Sequence, residues 1–68
     1  MKIGIFDFSA DVKDGVTRLR VTDYEGSLVA TGQGANIHDA KDNAMTTTSN
    51  EDAKKHLHEI VLPDAPFE

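Results

Sequence analysis

Cysteine is absent from the 68 residues, and that one absence excludes a disulfide staple, a thiolate metal site and a cysteine nucleophile. Large aromatic rings are scarce: only Phe6, Phe8, Tyr24 and Phe67. Burial per residue is therefore limited, and a chain of this length is expected to hold together by only about 3 to 5 kcal/mol. A long hydrophobic run is missing as well. The opening MKIGIFDFSADVKDG carries one early lysine and an apolar stretch broken at Asp7, which fits neither a signal peptide nor a membrane span. With no such segment and no cysteine, the cytoplasm is the expected compartment. Positive charge is the last shortage. Seven lysines and arginines face twelve aspartates and glutamates, a formal net charge of −5. This disfavours a phosphate-binding surface, because affinity for nucleic acid comes mainly from cations that displace counterions.

The charge that is present is unevenly spread. Through Gly34, the basic Lys2, Lys13, Arg18 and Arg20 nearly balance the acidic Asp7, Asp11, Asp14, Asp23 and Glu25. Beyond it, Lys41, Lys54 and Lys55 face Asp39, Asp42, Glu51, Asp52, Glu59, Asp64 and Glu68. The length admits one domain, expected over residues 1–62, and Pro63 with a second proline at Pro66 makes 63–68 an expected extended tail.

Local patterns order the elements. Lys2 to Ser9 reads as a first strand, with Ile3 and Ile5 on one face and Phe6 and Phe8 on the other. Lys13-Asp14-Gly15 is a turn signal, and Val16 to Asp23 alternates cleanly, so that Leu19 and Val21 should point inward while Arg18 and Arg20 point outward. After Tyr24-Glu25-Gly26, Ser27 to Thr31 reads as a third strand. From Asn36, an expected N-cap, the period changes to that of a helix, with Ile37, Ala40, Ala44 and Thr48 on one face. The β-branched Thr46, Thr47 and Thr48 weaken that helix. Ser49 is then expected to cap a fresh start whose inward stripe is Ala53, Leu57 and Ile60.

Gly32, Gly34, Asn36, Ala40, Lys41 and Ala44 together resemble the C-terminal half of the double-stranded RNA-binding domain. Its typical run is glycine-x-glycine-x-serine-lysine-lysine-x-alanine-lysine-x-x-alanine-alanine, and here Met45 stands in the last alanine position. The resemblance implies a helix laid across an antiparallel sheet, with the glycines letting the strand turn sharply and the alanines letting the helix lie close. Two departures bear on function. The family's phosphate-gripping lysine pair is replaced by Ile37 and His38, which leaves Lys41 as the one matching cation, and its first helix has no counterpart in these residues. Gly34, Asn36, Asp39, Ala40, Asn43 and Ala44 also resemble the helix start of small HicB-type antitoxins, acidic proteins of strand, strand, strand, helix order.

Several chemistries are weaker readings than plain structure. Gly32-Gln33-Gly34 lacks the third glycine and the lysine-serine ending of a phosphate loop, so a structural turn is the better reading. His56 and His58 lie two apart on a helix and diverge, so with His38 they form no expected metal set. No nucleophile elbow or carboxylate pair frames a reaction, and no enzyme and no cofactor are expected. Arg18 and Arg20 are expected to pair with acids such as Asp7 or Asp23.

The expected fold class is α+β: a three-stranded antiparallel meander followed by one long or broken helix packed on one face. The expected function is that of a small acidic protein-binding module, a regulator, inhibitor or antitoxin-like protein of phage or bacterial kind. Its contact residues would be Asp39, Asp42, Glu51, Asp52 and Glu59 against a basic surface on a partner protein. A homodimer would add burial that so short a chain lacks. The alternative is nucleic-acid binding through Arg18, Arg20, His38 and Lys41.

Overall fold

The alternating first half builds one antiparallel sheet with its strands in sequence order, and the second half supplies two helices. The strands are β1 (Lys2–Ile3), β2 (Phe6–Lys13), β3 (Val16–Thr22) and β4 (Leu28–Gly34); the helices are α1 (Ile37–Thr47) and α2 (Glu51–Glu59). These elements belong to a computed structural model that describes residues 1–68. The class is α+β as expected, with four strands in place of three and the helical segment broken into two helices. The stretch Lys2 to Ser9 is a hairpin: β1 folds back on β2, with Lys2 opposite Asp7 and Ile3 opposite Phe6. Gly4, at φ 64°, sits in the left-handed region that the fold-back requires and that side chains resist. This explains why apolar residues line both sides of that stretch. Ile5 is turned out in the hairpin loop, while Phe6 and Phe8 are buried.

The β2–β3 hairpin closes through Asp14 and Gly15, both at positive φ. Its register sets Phe8 opposite Val21 and Ala10 opposite Leu19, and the next pairing sets Val21 opposite Ala30 and Leu19 opposite Gly32. These rows form the inner face. Leu19 and Val21 are fully buried there, as period two demands. Ala40, Ala44, Ala53 and Leu57 from the helices join the same cluster, so both helices cover this one face. No helix is long and apolar enough to cross a membrane.

The seat of α1 depends on Gly32 and Gly34, although for a different reason from the sharp turn expected. β4 runs straight through both. A Cβ on Gly32 would overlap the Ala40 carbonyl oxygen and the Ala44 nitrogen, and one on Gly34 would lie 2.6 Å from Asp39 Cβ. The strand is bare there because the helix backbone occupies the space. Asn36 caps α1 as expected, its Oδ1 accepting from the Asp39 amide at 2.9 Å.

At the other end, the threonines have a use that propensity alone conceals. Thr48 leaves the helix in extended backbone, and its hydroxyl donates to the Val29 carbonyl at 2.7 Å and accepts from the Asn50 amide at 3.1 Å. The Thr47 hydroxyl lies within reach of the Thr31 carbonyl at 3.1 Å and shares its one hydrogen between it and the Asn43 carbonyl of its own helix at 2.9 Å, and the Asn43 amide donates to the Gln33 carbonyl. Val29, Thr31 and Gln33 alternate along β4, an edge strand, so three side chains of this helix and its cap take its outward carbonyls in succession. The chain therefore breaks after Thr47, and α2 restarts behind Asn50, not Ser49, with Asn50 Oδ1 accepting from the Ala53 amide at 3.0 Å.

The second helix sits over aromatic side chains. Ala53 and Leu57 are buried, and Ile60, the last of the expected stripe, is half-buried at the C-cap. The His56 ring stacks on Phe8 with centroids 5.7 Å apart and tilts against Phe6 at 5.4 Å. Residues 63–68 come back to the sheet. Ala10 and Phe67 exchange both backbone hydrogen bonds at 2.9 Å, and the half-buried Phe67 packs against the core.

Candidate functional site

The exposed surface of the helical layer follows from which side chains the packing consumes. On α1 the charged residues are Asp39, Lys41 and Asp42. Lys41 is drawn in: its ammonium group donates to the Ile60 carbonyl at 2.9 Å, which places a cation at the C-terminal end of α2, where unpaired carbonyls favour positive charge. Asp39 and Asp42 remain exposed. His38, four residues before Asp42, holds its Nε2 3.7 Å from that carboxylate, and both side chains are well solvated, so this pair contributes little to stability.

On α2, Glu51 and Asp52 occupy the first turn, where carboxylates favour the amide-rich helix start, and Glu59 is its last residue. Asp42 and Glu51 meet across a shallow groove between the helices that Met45, Thr46, Lys54, Lys55 and His58 also line. Asp39, Asp52 and Glu59 do not line it. The five acids expected to act together are therefore distributed around the helical layer, and two of them share a groove with two lysines. The groove's further residues were missed on sequence, yet the signal is present. Positions 42, 45 and 46 on α1, and 51, 54, 55 and 58 on α2, repeat at helical spacing as a second face of each helix.

The cations of the alternative reading are divided. Arg18 and Arg20 project from β3 on the bare face of the sheet, while His38 and Lys41 belong to the helix on its other face. The expected pairing of the arginines with Asp7 or Asp23 does not occur. Asp7 Oδ1 accepts from the Met1 amine at 2.9 Å, and Asp23 Oδ1 accepts from the Glu25 and Ser27 amides at 2.9 and 3.0 Å, closing its own turn. Across β2, Arg18 faces Asp11 and Arg20 faces Ser9, and neither arginine is in an ion pair. Both line a shallow pocket with Ser9, Asp11, Phe67 and Glu68.

The histidines are dispersed too. His56 faces Phe6 and Phe8, His58 lines the groove, and His38 neighbours Asp42. No three histidine or acidic side chains converge on a point where they could hold a metal ion. Comparison of the chain with protein families, curated proteins and solved structures finds no match.

Proposed function

We propose that the chain is a non-enzymatic protein-binding module that docks its helical layer on a basic surface of a partner protein, in the manner of a small regulator, inhibitor or antitoxin-like protein of phage or bacterial kind. The observation that carries this reading is the inward turn of Lys41 to the Ile60 carbonyl. It ties the one cation of α1, half-buried, to the end of α2 and leaves Asp39 and Asp42 as the helix's exposed formal charges. Glu51, Asp52 and Glu59 extend the negative potential along α2, tempered by Lys54 and Lys55. Such a field steers encounter with a cationic partner and weakens with salt.

The division of Arg18 and Arg20 from His38 and Lys41 between two faces of the sheet argues against the nucleic-acid alternative, because a duplex laid on either face would meet only half the set. The test is affinity capture from a lysate of the source cells, with immobilised wild type beside a variant carrying Asp39→Lys and Asp42→Lys. A captured protein with a basic surface, whose association slows by about tenfold or more in the variant at low salt, supports the reading. Capture that the double reversal leaves unchanged, or recovery of nucleic acid in place of protein, overturns it.

A further inference from the structure

The two edges of the sheet are finished differently. On β4 the outward carbonyls of Val29, Thr31 and Gln33 are taken by Thr48, Thr47 and Asn43. On β2 the outward groups are taken by other stretches of main chain. The Phe8 amide donates to the Met1 carbonyl at 2.8 Å, and Ala10 exchanges two hydrogen bonds with Phe67. The next residue in that series, Val12, has no such partner beyond β2, and its side chain is 47% exposed. Between α2 and Phe67 the tail is held by side chains and not by its main chain: Leu62 and Ala65 pack half-buried against the core, whereas the amides of Val61, Leu62, Asp64 and Ala65 donate no hydrogen bond and Val61 is 90% exposed.

We propose that the β2 edge from Ala10 to Val12 is a strand-addition site for an extended segment of a partner protein, and that Phe67 is its resident placeholder. The tail defines the chemistry of the occupant. An aromatic residue sits opposite Ala10 and packs on the core, and an acidic residue follows it toward Arg18 and Arg20, which have no ion pair of their own. The tail makes one bridge and leaves Val12 open. An uninterrupted strand in the same antiparallel register pairs with both Ala10 and Val12, four main-chain hydrogen bonds against the two at Phe67. The tail competes from within the molecule, so an incoming strand binds with its intrinsic affinity reduced by the fraction of sites left open. This surface shares no residue with the acidic helical layer, so it stands or falls separately from the function proposed above.

The probe is a fluorescent peptide, Thr-Thr-Val-Thr-Phe-Glu, whose phenylalanine and valine take the places opposite Ala10 and Val12. It is titrated by anisotropy into the full chain, into Phe67→Ala and into Phe67→Ala with Val12→Pro. The expected result is saturable binding to Phe67→Ala at least about tenfold tighter than to wild type, since the competitor is disabled. Val12→Pro, which deletes the outward amide, should abolish it, and Arg18→Glu with Arg20→Glu should weaken it severalfold. Circular dichroism confirms that each variant is folded. Should Phe67→Ala not fold, amide shifts of wild type under peptide provide the reading, with changes confined to Ala10–Lys13 and the tail supporting the site. No saturable binding by about 1 mM, binding indifferent to Val12→Pro, or self-association of Phe67→Ala without peptide binding overturns the proposal; the last outcome would give the edge to a second copy of the chain.

Discussion

The two helices lie on the same sheet face by opposite means. α1 meets β4 backbone to backbone: Gly32 and Gly34 offer no side chain, Ala40 and Ala44 are fully buried, and three side chains fasten the helix and its cap to the carbonyls of the strand edge. α2 meets β2 through side chains, with the His56 ring set against Phe6 and Phe8 and Leu57 buried in the same core cluster. At Gly32 the first contact is made by main-chain atoms of Ala40 and Ala44, which move only with the helix. The second has rotatable rings and one polar atom, His56 Nε2, buried without a hydrogen-bond partner. A small core is thus held by one stiff seat and one compliant seat, and the stiff seat carries Asp39 and Asp42.

Substitutions on each side separate the two. The largest effect is expected at Gly32→Ala, because the added methyl overlaps main-chain atoms of α1 that move only with the whole helix. The cost should be about 3 kcal/mol or more, comparable to the whole stability of so small a domain, and is read as loss of the cooperative urea transition. Leu57→Ala comes next. It opens a cavity under α2, and since that helix rests on movable rings the loss should fall near the low end of the range for buried leucines, about 2 to 3 kcal/mol, with a transition still visible. A loss from Leu57→Ala larger than that from Gly32→Ala would reverse the assignment of stiff and compliant seats. Smallest is Thr47→Val, which keeps the shape and removes the hydroxyl shared between the Thr31 and Asn43 carbonyls; stability should drop by about 1 kcal/mol or less, with α1 still formed by circular dichroism.

What could be read from sequence was what neighbours decide. The inward side of Leu19 and Val21 follows from alternation, the Asn36 cap from a short polar side chain before a helical period, and the Asp14-Gly15 turn from its residue types. Gly4 was passed over because Ile-Gly-Ile within an apolar run looks like continuous strand, although a glycine there is also how a hairpin is made. The restart at Asn50 in place of Ser49 is a shift of one residue between two equally good caps. The site was legible only as a composition. That Asp39 and Asp42 face solvent follows from helical phase, and Asp23 is engaged locally, by amides of its own turn, whereas the engagement of Lys41 by a carbonyl nineteen residues away depends on tertiary closure that no local pattern encodes. Gly32 and Gly34 were recognised as necessary, with the wrong cause attached: the limit is the distance between a strand and a helix, which appears only when both are in place.

Native-state hydrogen exchange, resolved residue by residue, tests the stiff and compliant seats most directly. Amides of α1 from Lys41 to Thr47 should exchange only through global unfolding, while those of α2 from Lys55 to Glu59 should open at least about 1 kcal/mol more easily, as a separate unit. Equal protection in the two helices, or earlier opening of α1, would contradict the claim that the bare glycines make the first helix the fixed part of this molecule.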